Sequence, residues 1–388
     1  MTISNVKKIY IYRAFASFIL VFPVFILFLQ EKGLNMTQIM ILQSVFTFGI
    51  MFFTIPAGLV ADKIGRKPVM LVSIAIYSLS HVGYGLGNNF WEFFAIEILF
   101  AISVALWEST WQALIYDSLK TQKQEKQYKK ILGNYFIIGG ISVGAASVIG
   151  SFLADIWNSY DFLWLLSGLM IGFGFFAVVT IKEPKIKKEK SKSFLDHFKS
   201  SFKYVINHTK LKTLLIYSSM ISVLTLSGFY LYQPYFVKIG LPITMFGIIF
   251  AIVGIMEGLG SKLSHNIEKI IGEKKSLILI SILPTLFFLL LALSNSKFMM
   301  IFPILIVMVV GFKNTVISYY INQHVSSHHR ATITSFSICL FSIFSAIIFP
   351  ITGIITDKYS INMGFLFVSI VLLLTFLLAI TNIIKNGD

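Results

Sequence analysis

Acidic side chains and cysteines are the scarce groups in this chain. Of 388 residues, 17 are Asp or Glu against 32 Lys or Arg, and charges of both signs make up only 13% of the total. The single cysteine, Cys339, lies in an apolar run and excludes an internal disulfide. Nothing resembles the glycine-rich loop that cradles nucleotide phosphates, so the chain encodes no ATPase of its own. An intramembrane transferase would need an aspartate cluster for a metal diphosphate, or a His and acid pair at a membrane surface, and neither is encoded. His324, His328 and His329 cluster without carboxylate or thiol companions, which argues against a metal site.

What the chain has instead is grease. Hydrophobic residues make up 56% of it and the mean hydropathy is +0.82, values that no water-soluble domain could carry without an apolar surface. Its solvent is therefore a lipid bilayer. A helix needs about 20 mostly apolar residues to cross one, which leaves room here for roughly a dozen crossings. The net charge of +15 could suggest nucleic acid, but the cations fall in short loops on one side, as the positive-inside bias requires. Nucleic acid is accordingly not expected as a partner.

Lys7 and Lys8 precede an apolar run too long for a signal-peptide core and without a small-residue cleavage site, so it reads as a retained first helix. Apolar runs then recur near 9–29, 39–60, 69–86, 91–119, 131–156 and 162–181, and again near 214–237, 245–263, 277–293, 298–323, 332–356 and 365–384. The loops at 63–67, 120–130, after Lys182, at 262–275, around Arg330 and at Lys385 are basic, which places them and both termini in the cytoplasm. The expected domains are a six-helix bundle over 1–182, a Lys-rich cytoplasmic linker over 183–212 and a second six-helix bundle over 213–388. Within the linker, Phe194, Leu195, Phe198, Phe202 and Val205 recur at helical spacing, the pattern of an amphipathic helix lying on the anionic inner leaflet.

The two halves share landmarks. Placing Gly33-Leu34 on Gly240-Leu241 gives an offset of 207, and the same offset lands Gly65 on Gly272. It also sets Asp62 opposite Lys269 and Gly58 opposite His265, so the repeat is inexact.

Between the second and third runs stands Gly58-Leu59-Val60-Ala61-Asp62-Lys63-Ile64-Gly65-Arg66-Lys67-Pro68. It reads as a compact charged loop at the membrane surface. Gly58 and Gly65 allow positive φ and close approach, Asp62 can pair with a cation or a helix N-terminus, Arg66 and Lys67 anchor the turn in water, and Pro68 suits a first helical turn. The stretch resembles the signature G-x-L-a-D-r-x-G-r-k-x of the major facilitator superfamily, matched at Gly58, Asp62, Lys63, Gly65, Arg66 and Lys67. That resemblance implies an all-α fold of twelve transmembrane helices in two pseudo-symmetric bundles, with Gly58, Asp62, Gly65 and Arg66 in conformational gating. It implies a secondary transporter in the cytoplasmic membrane rather than an enzyme, working as a monomer by alternating access on a small-molecule substrate with no cofactor, and the carboxylates within the apolar runs favour the proton gradient over sodium as energy source.

Charges within apolar runs cost about 2.5–3.5 kcal/mol each on insertion scales, so each calls for a partner or a function. The candidates are Arg13, Glu97, Glu108, Asp117, Glu257 and Lys313. Glu97 and Glu108 are eleven residues apart and share one helical face, which Gln112 continues. Aligning Tyr116-Asp117 with Ile321-Asn322, at an offset of 205, maps Glu108 onto Lys313. In proteins that resemble this one the first, fourth, seventh and tenth helices line the cavity, so Glu108 reads as a proton-coupling or substrate-cation site tuned by Lys313. A permanent Glu108 to Lys313 ion pair holding the halves together is the alternative. Arg13 and Asp117, each about a turn inside the cytoplasmic boundary, are expected to pair in a gating or structural role. Glu257, near Lys262 and His265, is expected to snorkel or pair.

Trp107 and Trp111 beside Glu108, with Tyr230, Tyr232 and Gln233 in the seventh run, suggest an aromatic wall next to a carboxylate, suited to a lipophilic cation. Tyr235 and Trp91 suit an interfacial aromatic belt. The favoured substrates are therefore drug-like or cationic amphipathic compounds, exported in exchange for protons. Proton-coupled uptake of a small metabolite and lipid flipping are the alternatives. The fifth run carries Gly139, Gly140, Gly144 and Gly150 but resembles the superfamily's exporter signature only at Gly140 and Gly144, with Ala145 in place of the proline, which leaves direction open.

Overall fold

The computed structural model describes residues 4–157, 159–184, 205, 208–323 and 330–385. The linker pattern around Phe194 and the three histidines at 324–329 lie outside these residues. Every regular element described is helical: α1 Asn5–Ala16, α2 Phe25–Glu31, α3 Met36–Ile64, α4 Arg66–Leu86, α5 Phe90–Glu108, α6 Trp111–Thr121, α7 Tyr128–Trp157, α8 Asp161–Val179, α9 Thr209–Tyr230, α10 Tyr232–Lys238, α11 Ile243–Leu293, α12 Ile301–Gln323, α13 Arg330–Lys358 and α14 Ile361–Lys385. Ten stretches are long and apolar enough to cross a bilayer. One of them, α11, is interrupted at Gly272, where φ is 79°.

Two compact units divide the chain. The first comprises Met1–Leu34, Val45–Lys188 and Pro242–Ala251, the second Asn35–Ser44, Glu189–Leu241 and Ile252–Asp388. In the first, α4 packs on α5 and α8, and α1 on α7 and α8. Small residues set these contacts. Ser78 donates to the Gly168 carbonyl at 2.7 Å, a Cβ at Gly168 would stand 3.0 Å from the Ser78 carbonyl, and one at Gly150 would collide with the Leu20 carbonyl. In the second unit α9 packs on α13 and α14, pinned by Ser227 donating to Thr352 at 2.8 Å.

The expected first span is not one helix. It breaks between α1 and α2, where the Leu20 amide, freed from the helical ladder, donates to Ser167 Oγ at 2.9 Å. The expected fourth span likewise breaks at Ser109 and Thr110, whose hydroxyls return to carbonyls of their own helix: Ser109 to Leu106 at 2.9 Å, Thr110 to Trp107 at 2.9 Å. Gln112 thus belongs to a new helix, separated by this break from the one that carries Glu97 and Glu108.

The repeat is visible in the backbone. The positive-φ glycines among the described residues are Gly33, Gly65, Gly240 and Gly272, two pairs each 207 apart. Gly33 donates to the Gln30 carbonyl at 2.9 Å and Leu34 to Leu29 at 3.1 Å, while Gly240 donates to Val237 at 3.0 Å and Leu241 to Phe236 at 3.0 Å. Both corners are the same helix-ending motif, in which a left-handed residue lets two amides fold back onto orphan carbonyls.

The start of α3 accounts for all its free donors. Asn35 and Gln38 bond reciprocally, the Gln38 amide to Asn35 Oδ1 at 2.9 Å and the Asn35 amide to Gln38 Oε1 at 3.1 Å. Asp357, at the end of α13, accepts from the Met36 amide at 2.9 Å, the Thr37 amide at 2.8 Å and the Thr37 hydroxyl at 2.6 Å. Close approach is possible because Gly353 has no side chain: a Cβ there would sit 2.6 Å from Thr37 Cα.

Candidate functional site

The signature stretch is mostly helix. Residues 58–64 belong to α3, and Gly58 faces open space, so only Gly65, at φ 105°, provides the turn. The expectation of a compact loop from Gly58 onwards is corrected accordingly, because one left-handed residue is enough to end α3 and start α4. Glu183 caps the new helix, accepting from the Arg66 amide at 2.8 Å and the Lys67 amide at 2.7 Å. Arg66 forms an ion pair with Asp117 of α6, and Asp62 and Glu183 add to the negative field around its guanidinium.

The pairing of Asp117 with Arg66 overturns the expected pair with Arg13. Arg13 is held elsewhere: its guanidinium lies over the Tyr135 ring at 4.7 Å, in the space left by Gly139, where a Cβ would approach Nη2 to 2.6 Å. Tyr135 is one end of an aromatic column. Tyr12 stacks on Trp107 at 4.0 Å, Trp107 lies parallel to Trp111 at 6.2 Å, and Trp111 stacks on Tyr135 at 4.2 Å. All four rings are buried and belong to one apolar cluster contributed by α1, α5, α6 and α7.

Glu108 stands at the edge of this column. It is exposed, and Trp111 Nε1 donates to its Oε2 at 3.1 Å. Gln112 is exposed one turn further on, and Phe136, 58% exposed, meets Trp111 edge-on at 6.1 Å. Trp111 thus holds an exposed carboxylate by its ring nitrogen and meets an exposed ring at its edge, with the exposed Gln112 next to it in sequence. Such a group of side chains can attract a cation and cover its apolar body.

Glu97, although on the same helical stripe, has different surroundings. It is buried and accepts from the Tyr84 hydroxyl of α4, within a cluster in which Tyr84 stacks on Trp164 at 4.3 Å and on Phe93 at 5.1 Å. The helix is covered at the level of Glu97 and uncovered at that of Glu108.

In the second unit Lys313 is buried, with 2% exposure, and donates to Ser222 Oγ of α9. The carboxylate whose field reaches it is Glu257 of α11. Neither expected neighbour of Glu257, Lys262 or His265, is the charge that acts on it; Lys313 is. Sequence spacing misses this because α11 and α12 approach backbone to backbone: side chains at Gly260 and Gly311 would strike the carbonyls of Met308 and Glu257. Tyr230, Tyr232 and Gln233 are enclosed. Tyr232 packs between Phe288 at 6.4 Å and Phe365 at 6.2 Å, and Tyr230 meets Phe349 edge-on at 5.5 Å. Tyr235, expected in the interfacial belt, is buried and donates to the Ser294 carbonyl at 2.7 Å, whereas Trp91 is 72% exposed. Among the described residues no three His, Cys, Asp or Glu side chains converge on a metal-sized site.

Against known proteins, the family model described as Major Facilitator Superfamily matches residues 10–269 and 238–385. The quinolone resistance protein NorA of Staphylococcus aureus (strain MRSA252) is 24% identical over 178 residues, 45% of this chain and 44% of that protein. An uncharacterized MFS-type transporter of Methanocaldococcus jannaschii is 27% identical over 126 residues, 31% of each chain. The matches thus span less than half the length of these curated relatives. Among solved structures, the nucleoside transporter NupG superposes with a TM-score of 0.81 at 14% identity, covering 98% of this chain and 99% of that one. A bacterial homolog of the human lysosomal transporter Spinster, inward-facing and unoccupied, gives 0.75 at 15% identity over 98% and 97%.

Proposed function

The chain belongs to the major facilitator superfamily, and from that membership we propose that it is a proton-coupled secondary transporter exporting drug-like or cationic amphipathic compounds across the cytoplasmic membrane. It is a multi-pass membrane protein and a transporter rather than an enzyme. Twelve crossings in two pseudo-symmetric bundles are part of the proposal. They are supported by ten candidate spans, by the interruption of α11 at Gly272, by the broken first helix and by the duplicated glycine corners. The basic loops support cytoplasmic termini.

The observation that carries the substrate class is Glu108, an exposed carboxylate oriented by Trp111 at the rim of the Tyr12, Trp107, Trp111 and Tyr135 column. The carboxylate supplies charge and the rings supply area, the two things an amphipathic cation needs. The likeness to a protein named for quinolone resistance points the same way. Gln112 adds an exposed amide next to Trp111 in sequence, Lys313 belongs to the coupling machinery, and Arg66 with Asp117 ties the signature turn to α6 during the cycle.

The test is a proteoliposome assay with the membrane potential clamped at zero, an imposed pH gradient and ethidium as the probe. Wild type should accumulate ethidium against its gradient only when the pH gradient is present. Glu108→Gln should weaken ethidium binding about tenfold, as expected for loss of one charge contact of roughly 1.4 kcal/mol. Full accumulation by Glu108→Gln with an unchanged pH profile refutes the assignment.

A further inference from the structure

Among the described Asp, Glu, Lys and Arg side chains only Glu97 and Lys313 are buried. Lys313 has a neutral hydrogen-bond partner, Ser222, whose own proton is directed to the Ser218 carbonyl at 2.9 Å. That orientation leaves a Ser222 lone pair for the lysine. Lys32 pairs with Asp161, Arg66 with Asp117 and Lys210 with Glu273, and none of these ion pairs includes Lys313. Enclosing an ammonium ion costs several kcal/mol unless an anion closes on it, and a single hydroxyl oxygen does not repay that.

The anion within electrostatic reach is Glu257. Its main chain is packed directly on α12, where Gly311 lies against its carbonyl, Gly260 against that of Met308, and Ser261 bonds Thr315 at 2.7 Å. Its side chain is exposed, and Gly254 and Gly258 on the same face leave open space beside it. Two closely packed helices therefore present one lysine with two alternative partners, a half-buried hydroxyl and an open carboxylate. The other groups around Lys313 do not compete. Lys210 and Lys212 lie in the first turn of α9, three turns from Ser222, Lys262 and His265 lie further along α11, and Lys297 sits in the turn before α12, sixteen residues away.

Resting on the proton coupling proposed above, we propose that Lys313 itself exchanges the coupling proton, lying on Ser222 as the neutral amine and turning to Glu257 as the ammonium ion. The step balances as proton transfer alone: the amine lone pair takes a proton from water entering beside Glu257, and returns it to water when the site faces the other side. Glu257 is the positioning anion and Ser222 the positioning acceptor. Lysine suits this role where arginine does not, because a guanidinium does not release its proton.

The experiment uses the full-length protein and has two arms. In proteoliposomes with ethidium, Lys313→Arg and Lys313→Met should lower the ratio of gradient-driven accumulation to ethidium-for-ethidium exchange about tenfold under a one-unit pH gradient, the drive of one proton. Glu257→Gln should move the midpoint of the pH profile down, by disfavouring the ammonium form, and Ser222→Ala should move it up, by removing the acceptor of the amine form. In the second arm, potentiometric titration of detergent-purified protein between about pH 6 and 9, where exposed lysines stay charged, should release about one more proton per chain from wild type than from Lys313→Arg. Size-exclusion profiles and melting curves confirm that each variant is folded. Wild type that fails to accumulate ethidium while showing the extra proton sinks the transport reading and leaves the amine assignment standing. An accumulation-to-exchange ratio in Lys313→Arg equal to that of wild type, or identical titration curves, overturns the inference.

Discussion

Replacing Asp357 by alanine should loosen the first turn of α3 and little else. Three donors converge on that carboxylate, the amides of Met36 and Thr37 and the hydroxyl of Thr37, at 2.9, 2.8 and 2.6 Å. Loss of a capping side chain costs about 1 kcal/mol. Loss of a negative charge at a helix N-terminus adds roughly 0.3–1 kcal/mol, towards the low end here because Asp357 is exposed and water can replace it. The total, about 1.5 kcal/mol, corresponds to roughly tenfold faster opening. Amide hydrogen exchange followed by mass spectrometry, with fragments covering the start of α3, should show that acceleration at Met36 and Thr37. The Gln38 amide should change less, because Asn35 still caps it. Asp357→Asn should fall between, keeping one acceptor and losing the charge. Equal exchange at Met36 and Thr37 in wild type and Asp357→Ala would refute the claim that this carboxylate holds the helix end.

Further outcomes follow from the same contacts. A double-mutant cycle of Arg66→Ala and Asp117→Ala, read by thermal unfolding in detergent, should give a coupling of about 1–2 kcal/mol, whereas Arg13→Ala with Asp117→Ala should be additive. Gly260→Ala forces a methyl into the Met308 carbonyl and should cost about 1–3 kcal/mol, while Gly254→Ala, with nothing within 4 Å, should be neutral or slightly stabilising in the same melts. Tyr84→Phe strips the buried Glu97 of a donor and should cost about 1–3 kcal/mol, read as a lower melting temperature that Glu97→Gln in the same background partly restores.

The class, most of the spans and the paired glycine corners were legible because they are written in features that survive projection onto one dimension. Apolar runs mark crossings whatever surrounds them, and a left-handed corner needs glycine, so Gly33, Gly65, Gly240 and Gly272 announce themselves. Trp107 and Trp111 lie parallel although the helix breaks between them, so their stacking follows from the packing of α5 on α6 and not from helical spacing. The breaks at Ser17–Val21 and Ser109–Thr110 were not legible. Neither contains Pro or Gly, and what stabilises them is supplied by Ser167, on a distant helix, and by hydroxyls that could equally have stayed in a straight helix. Partner choice among charges was least legible of all. Arg13 and Asp117 lie at similar depth, but helix rotation sets one over Tyr135 and gives the other to Arg66. Glu257 comes within the field of Lys313 because α11 and α12 approach backbone to backbone at Gly260 and Gly311.

The twin corners at Gly33 and Gly240 have a bearing on how the halves of such a chain can diverge. Each is closed by main-chain groups alone, so its shape survives almost any change in the neighbours so long as the glycine is kept. A duplicated gene could thus rewrite its chemistry freely between fixed bends, and the aspartate at 62 where the other half has a lysine at 269, or the glycine at 58 where it has a histidine at 265, are the marks of that freedom.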